Sequence, residues 1–182
     1  IKEKISQMAT SCYIGESACY RAAKDIENRT QVFLSEGMSH QESELKGVED
    51  FAIECSLIKI GISEDIMNCS DEGIQIFGGM GFSAEAPMES AWRDARIGRI
   101  YEGTNEINRM LSVGMLLKKG IKGQINLMEA VMNAKSDLLK NLDKKETSSN
   151  ILSNETQLLI NLKKIFLILI GKAVEKYGQD LE

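Results

Sequence analysis

Residues 98 to 109, Gly-Arg-Ile-Tyr-Glu-Gly-Thr-Asn-Glu-Ile-Asn-Arg, hold one carboxylate, Glu102, on a glycine-hinged turn just before a helix start. A carboxylate held there is a candidate catalytic base. Ile100 and Tyr101 give it apolar neighbours, Gly103 has no Cβ and lets backbone or ligand come close, and Thr104 is placed to cap a helix beginning at Asn105. Desolvation would raise the pKa of such an acid, and the positive end of a helix would lower it. The same acid would also serve as an ordinary capping-region residue, and these twelve positions leave both readings open.

Upstream stands Gln75-Ile76-Phe77-Gly78-Gly79-Met80-Gly81-Phe82, followed by Ala86-Pro87-Met88-Glu89 and Trp92-Arg93-Asp94-Ala95-Arg96-Ile97. Backbone amides exposed by three glycines in such a turn can receive an anion or the edge of a cofactor. The same glycines would also cap a helix C-terminus and begin a turn. Gly79-x-Gly81-x-x-Ala84 mimics a dinucleotide fingerprint, but that fingerprint needs a strand before it and a βαβ unit around it. A helical pattern precedes the glycines here, and Pro87 interrupts soon after, which argues against a Rossmann unit.

Taken in order, Gln-Ile-x-Gly-Gly-Met-Gly-Phe, Pro-x-Glu, Arg-Asp-x-Arg-Ile and Ile-Tyr-Glu-Gly-Thr-x-Glu-Ile-x-Arg resemble the C-terminal helical domain of flavin-dependent acyl-CoA dehydrogenases. The likeness is dense from about Val48 to Leu117 and faint beyond Lys119. It implies that Glu102 removes the α-proton of a fatty acyl-CoA thioester. It also implies that Gln75, Ile76, Phe77, Gly78 and Gly79 reach the FAD of an adjacent subunit. Thr104, Asn105 and Glu106 would touch the ADP portion of that cofactor, and Tyr101 and Gly103 would face the thioester. The thioester carbonyl would accept hydrogen bonds from the Glu102 N–H and a flavin ribityl hydroxyl, an arrangement of fixed donors that stabilises enolate-like charge. A homo-oligomer, dimer or tetramer, and an electron-transfer flavoprotein as partner follow from the same resemblance. An acyl-CoA oxidase relative, or a catalytically silent helical scaffold that keeps the motifs as structure, are the alternatives.

Several elements must position these residues. The 182-residue chain has one proline, nine methionines, 43% hydrophobic residues and no alternating strand run, so the expected fold is all-α, a helical bundle. Residues 1–119 are expected to form the dehydrogenase-type domain and 120–182 a helical extension resembling that of the very-long-chain subgroup. The chain would then be a fragment, lacking a β-domain to cover the flavin and binding FAD weakly if at all. Ile5, Met8, Cys12, Cys19, Ala22 and Ile26 mark a first helix face interrupted near Gly15, and Gln31 to Gly47 reads as a polar connection. Val48, Phe51, Cys55, Ile58, Ile62, Ile66 and Cys69 mark a second long helix ending near Gly73, antiparallel to the first. A third follows Thr104 with Ile107, Met110, Leu111 and Leu117 inward. Ile125, Met128, Val131, Met132, Leu139 and Leu142 mark a fourth, Thr147 to Asn154 a linker, and Leu158 to Ala173 a fifth.

The remaining polar residues carry less. A net charge of −5 argues against a general nucleic-acid binder. Cys12, Cys19, Cys55 and Cys69 lack paired metal spacing and read as reduced core thiols, so no metal is expected. His40 reads as an exposed loop residue. Arg93, Asp94 and Arg96 are expected to brace the Glu102 turn through ion pairs, and Arg99 and Arg109 either to do likewise or to approach a phosphate. The apolar run at 165–170, flanked by lysines, is too short to span a bilayer and is expected to be buried against protein, with a membrane-surface role for 158–173 as the alternative. The expected location is the bacterial cytoplasm, or the mitochondrial matrix in a eukaryote.

Overall fold

The computed structural model describes residues 1–140 and 152–178. The described residues form eight helices and no strand: α1 (Lys2–Ser35), α2 (His40–Asp50), α3 (Ala52–Phe77), α4 (Gly79–Phe82), α5 (Pro87–Ile97), α6 (Asn105–Ile121), α7 (Leu127–Lys140) and α8 (Ser153–Tyr177). They divide into two compact units, Ile1–Val113 and Gly114–Glu182, with the division inside α6.

In the first unit α1 and α3 run antiparallel. Lys4 at the start of α1 pairs with Glu72 near the end of α3, Gly15 faces Ile62 midway, and the Cys19 and Cys55 thiols are neighbours beyond it. Helix α1 runs unbroken through Gly15, contrary to the expected interruption, because that glycine sits against the Ile62 side chain, where an added Cβ would meet Cγ1 at 3.2 Å. The expected polar connection over Gln31–Gly47 is also corrected. Helix α1 continues to Ser35, and α2 starts after a turn in which Gly37 takes a left-handed φ of 90°. Ser39 and Glu42 form a reciprocal capping box that satisfies two orphan amides. Helix α2 packs on α1 through Gly47, whose missing Cβ leaves room for Thr30 Oγ1, and through Arg29, which pairs with Asp50 and lies over the Phe33 ring.

Helix α3 begins at Ala52, so Val48 and Phe51 do not share a helix with Cys55; Phe51, at φ −105° and ψ 19°, separates α2 from α3. Two faces of α3 do different work. Ile60, Ser63, Ser70 and Gly73 are buried, and α5 packs on this helix with Met88 against Gly73 and the Trp92 indole N–H on Asp71. Ile58, Ile62, Ile66 and Cys69 stand half-open along a groove shared with α1. Gly78, at φ 62°, ends α3 where the glycine-cap reading placed a helix end, five residues beyond Gly73.

The second unit packs α7 on α8. Val131 is 2% exposed and Ala134 is buried, Gly171 admits the Val131 side chain, and Lys135–Glu175 and Lys164–Asp137 form ion pairs. Ser153 and Asn154 belong to α8 rather than to the expected linker, and residues 147–151, Leu142 and the Leu139 side chain lie outside the described residues.

The tightest backbone approach is at Gly81, where a Cβ would stand 2.4 Å from the Ile74 carbonyl oxygen; at Gly79 it would meet nothing within 4 Å. Gly81→Ala is therefore expected to lower stability by about 1–3 kcal/mol through overpacking, and Gly79→Ala to leave it nearly unchanged. Urea unfolding followed by circular dichroism checks this; equal midpoints for the two variants would overturn it.

Candidate active site

The turn between α5 and α6 carries Glu102. Both Glu102 and Gly103 have left-handed backbone, at φ 56° and 81°, and Glu102 is one of two non-glycine residues with positive φ among those described. Thr104 caps α6 as its position suggested, its Oγ1 accepting from the Ile107 N–H at 3.3 Å. The turn is closed below by the Asn105 N–H donating to the Arg99 carbonyl at 3.1 Å and by the Asn108 N–H donating to the Thr104 carbonyl at 2.9 Å.

A polar cluster underlies the turn. Asn105 is 0% exposed. Its Oδ1 accepts from Lys59 Nζ at 2.9 Å, and its Nδ2 donates to Ser63 Oγ at 2.9 Å and to Glu64 Oε1 at 3.3 Å. Lysine can only donate and a carboxylate can only accept, so these neighbours fix which end of the amide is which. The Gly103 carbonyl accepts from both Lys59 Nζ at 2.8 Å and Asn108 Nδ2 at 2.9 Å. Arg109 Nη2 donates to both Glu64 oxygens, at 2.9 and 2.8 Å. The Arg109 guanidinium holds the Glu64 carboxyl below its ordinary range, with help from the Asn105 amide and the Arg99 charge. Arg99 Nε is buried with no acceptor among the described residues.

Glu102 itself is exposed and not sheltered in an apolar pocket, since Ile100 and Tyr101 are exposed beside it. It stands at the wall of an apolar groove of about 540 Å³ between α1, α3 and α5, with Cys19, Ile26, Ile58, Ile62 and Tyr101 among the lining. A second hollow of about 520 Å³ lies between α1 and α3 towards Met8 and Cys69 and shares Cys19, Ile62 and Ile66 with the first. From Ile26 to Met8 the two follow about 27 Å of α1 at about 1.5 Å per residue.

Other expected residues fall as follows. Gln75, Ile76 and Phe77 form the last turn of α3, Gly78 caps it, and Gly79 opens α4; along α3, Gln75 lies about 18 Å from Ser63 under the Glu102 turn, at about 1.5 Å per residue. The Asn105 side chain is enclosed by its hydrogen-bond partners and has no exposed surface. Thr104 and Glu106 remain at the surface end of α6. Ile107, Met110 and Leu111 point outward, 57%, 69% and 50% exposed, and the buried positions of α6 are Asn105, Asn108 and Ser112. Arg93 pairs with Glu89 on its own helix and does not brace the turn. Lys59 and Asn108 were not foreseen as site residues. The Asn105–Asn108–Ser112 spacing of three and four, polar on one side of a helix, was the signal for part of this cluster.

His40 is exposed as expected, but at the first position of α2, 3.4 Å from Glu44. The four cysteines are free thiols; Cys12 and Cys19 are exposed and Cys55 and Cys69 half-buried along the groove, so they are not core residues. Burial pushes the Cys55 and Cys69 thiols up. No helix among the described residues is long and apolar enough to cross a membrane.

An all-α domain presenting one carboxylate on a left-handed turn beside an apolar groove is thus the class of protein that the fold and site define. Residues 1–116 match the family model described as acyl-CoA dehydrogenase, C-terminal domain, and the chain belongs to the acyl-CoA dehydrogenase family. It is 39% identical over 181 residues to a probable acyl-CoA dehydrogenase of Bacillus subtilis, covering all of this chain and 30% of that one. It is 38% identical over 110 residues to the rat mitochondrial very long-chain specific acyl-CoA dehydrogenase, covering 60% of this chain and 14% of the relative. A crystal structure of an acyl-CoA dehydrogenase complexed with FAD from Bacillus anthracis superposes with a TM-score of 0.92 at 38% identity, over 98% of this chain and 30% of that one. The chain therefore spans about a third of the length of these bacterial relatives.

The Arg109–Glu64 pair gives a pH-dependent prediction. The folded-state pKa of Glu64 lies below its ordinary value of about 4.5, so its contribution is present above that value and is lost as pH falls through the lower folded one. The difference in Tm between wild type and Arg109→Gln should accordingly be largest near neutral pH and shrink as pH falls below about 4.5. A constant difference from pH 7 to 3 would show that the pair is not what Arg109 contributes.

Proposed function

We propose that the protein containing this chain dehydrogenates fatty acyl-CoA thioesters to trans-2-enoyl-CoA, with Glu102 taking the α-proton. The observation that carries this reading is a carboxylate on a fixed left-handed turn at the wall of a long apolar groove, whose lining also holds Asp94 of the regular helix α5. A groove of that kind suits an extended acyl chain, and its continuation towards Met8 suits a long one. The Glu102 N–H is paired with no backbone acceptor among the described residues, so it is free to donate to a thioester carbonyl and stabilise the enolate-like charge. Tyr101 and Gly103 flank that position.

The residues present fit FAD. A Cβ at Gly78 or Gly79 would meet nothing within 4 Å, and Phe77 and Met80 beside them are exposed, so this turn can take the edge of a planar group. Gln75 to Gly79 would hold the cofactor of an adjacent subunit, and Thr104, Glu106 and the backbone of Asn105 its ADP portion. FAD, when bound, supplies the acceptor for the β-hydride. What this chain would contribute is a base beside the α-carbon and an apolar groove wall from which a bound acyl chain would expel water.

The outward apolar face of α6 and the exposed Phe77, Met80 and Phe82 are surfaces of the kind that interfaces cover, which supports a homo-oligomer. Electron-transfer flavoprotein is the proposed acceptor, a bacterial cytoplasm the proposed location in view of the Bacillus relatives, and 119/120 the proposed end of the dehydrogenase-type domain. The exposed Leu158, Leu162, Phe166 and Leu169 of α8 are proposed to be covered by protein.

The test is Glu102→Gln in the FAD-loaded protein, mixed anaerobically with acyl-CoA thioesters of graded length. The substitution keeps shape and loses basicity, so acyl-CoA binding should persist while flavin bleaching slows by about two to four orders of magnitude, the usual yield of a positioned base. Bleaching within about tenfold of wild type, with binding intact, would place the base elsewhere.

A further inference from the structure

We infer that Lys59, Asn105 and Asn108 are positioning residues that hold the Glu102 carboxylate in its catalytic direction, an inference that rests on Glu102 being the base. The backbone of the turn is the first reason. Two consecutive left-handed residues, one of them a glutamate, persist only where the surroundings over-determine them. Here both lone pairs of the Gly103 carbonyl are filled, one by Lys59 from α3 and one by Asn108 from α6. That fixes the peptide plane after Gly103, one residue beyond Glu102. Asn108 Nδ2 also reaches the Glu102 carbonyl, at 3.4 Å, so the planes on both sides of Gly103 are held.

Asn105 makes the clamp one unit. Its amide oxygen anchors the same Lys59 ammonium that holds Gly103, and its backbone N–H closes the turn on the Arg99 carbonyl. With no exposed surface and three polar neighbours, Lys59, Ser63 and Glu64, its side chain has one orientation available. Gly103 cannot be replaced without disturbing this, since a Cβ would stand 3.2 Å from Asn108 Nδ2 in addition to being strained at φ 81°. Lys59 also lines the groove beside Glu102, so the chain that sets the carboxylate reaches the wall along which the substrate would lie.

The experiment uses the full-length FAD-loaded protein and compares Lys59→Met, Asn105→Ala, their double variant and Glu102→Gln. Lys59 is only part-buried, so its variant keeps a folded protein in hand should Asn105→Ala fail to fold. Two readouts are taken: amide hydrogen exchange of residues 98–106 without substrate, and the limiting rate and half-saturating acyl-CoA concentration of anaerobic flavin bleaching. Lys59→Met should speed exchange in the turn by about tenfold while the rest of the chain is unchanged. It should lower the limiting rate by about ten- to a hundredfold, the scale of a 1 Å misplacement, with half-saturation nearly constant. The double variant should lose little more than Asn105→Ala alone, because both act through one turn. Unchanged exchange of 98–106 in Lys59→Met overturns the inference whatever the rates. A limiting rate within about threefold of wild type overturns it too, given the scale a misplaced base imposes. Rapid bleaching by Glu102→Gln would instead remove the reading of Glu102 as base, leaving the exchange result to speak only for the turn.

Discussion

The first unit depends on one buried amide. Asn105 joins α3 to the turn before α6 through Lys59, Ser63 and Glu64, and an apolar residue in its place would take one partner from each of those groups. Burying an amide costs free energy unless each of its groups finds a partner, and here each does. A turn that must present a carboxylate outward has backbone carbonyls facing inward, and those carbonyls need donors. Asn108 and Lys59 supply them. The polar cluster is thus what satisfies the carbonyls of the Glu102 turn.

That constraint explains the main misreading of the sequence. Apolar spacing put Ile107, Met110 and Leu111 inward on α6, but the inward stripe is Asn105, Asn108 and Ser112. The periodicity was right and the face was wrong. Periodicity identifies an apolar stripe without saying what covers it, and in this chain the stripe of α6 is open while the polar stripe satisfies the turn. Ser112 and Ser70 are tolerated inside for a simpler reason, since each hydroxyl donates to a carbonyl of its own helix four residues back, at 2.8 Å.

Much of the site was legible where local chemistry decides it. Thr104 caps α6, Gly78 ends α3, the all-α class holds, and α1 and α3 are antiparallel, each following from a cap or a stripe that needs no knowledge of distant residues. The boundary over 31–47 was missed although its signal was present, because Ser39-x-x-Glu42 is a capping box and Gly37 suits the turn before it. The break at Phe51 has no such signal. Nothing local to Asp50-Phe51-Ala52 stops a helix, and the packing of α2 against Phe33, Thr30 and Arg29 of α1 decides where α2 must end.

The backbone cost at Glu102 bears on why the carboxylate is held as it is. A non-glycine residue in the left-handed region costs about 1–2 kcal/mol relative to the right-handed one, and a glycine there would avoid that cost. Glycine takes the next position, where a Cβ would also press on Asn108, whereas the strained position keeps a side chain with an acid on it. The hydrogen bonds from Lys59 and Asn108 to the Gly103 carbonyl, and from Asn108 to the Glu102 carbonyl, offset that cost on the C-terminal side of Glu102. A capping acid would gain nothing from such an arrangement, since Thr104 already caps α6 and Glu106 already places a negative charge in its first turn. The carboxylate is therefore redundant for the capping of α6, and it stands exposed at the groove wall.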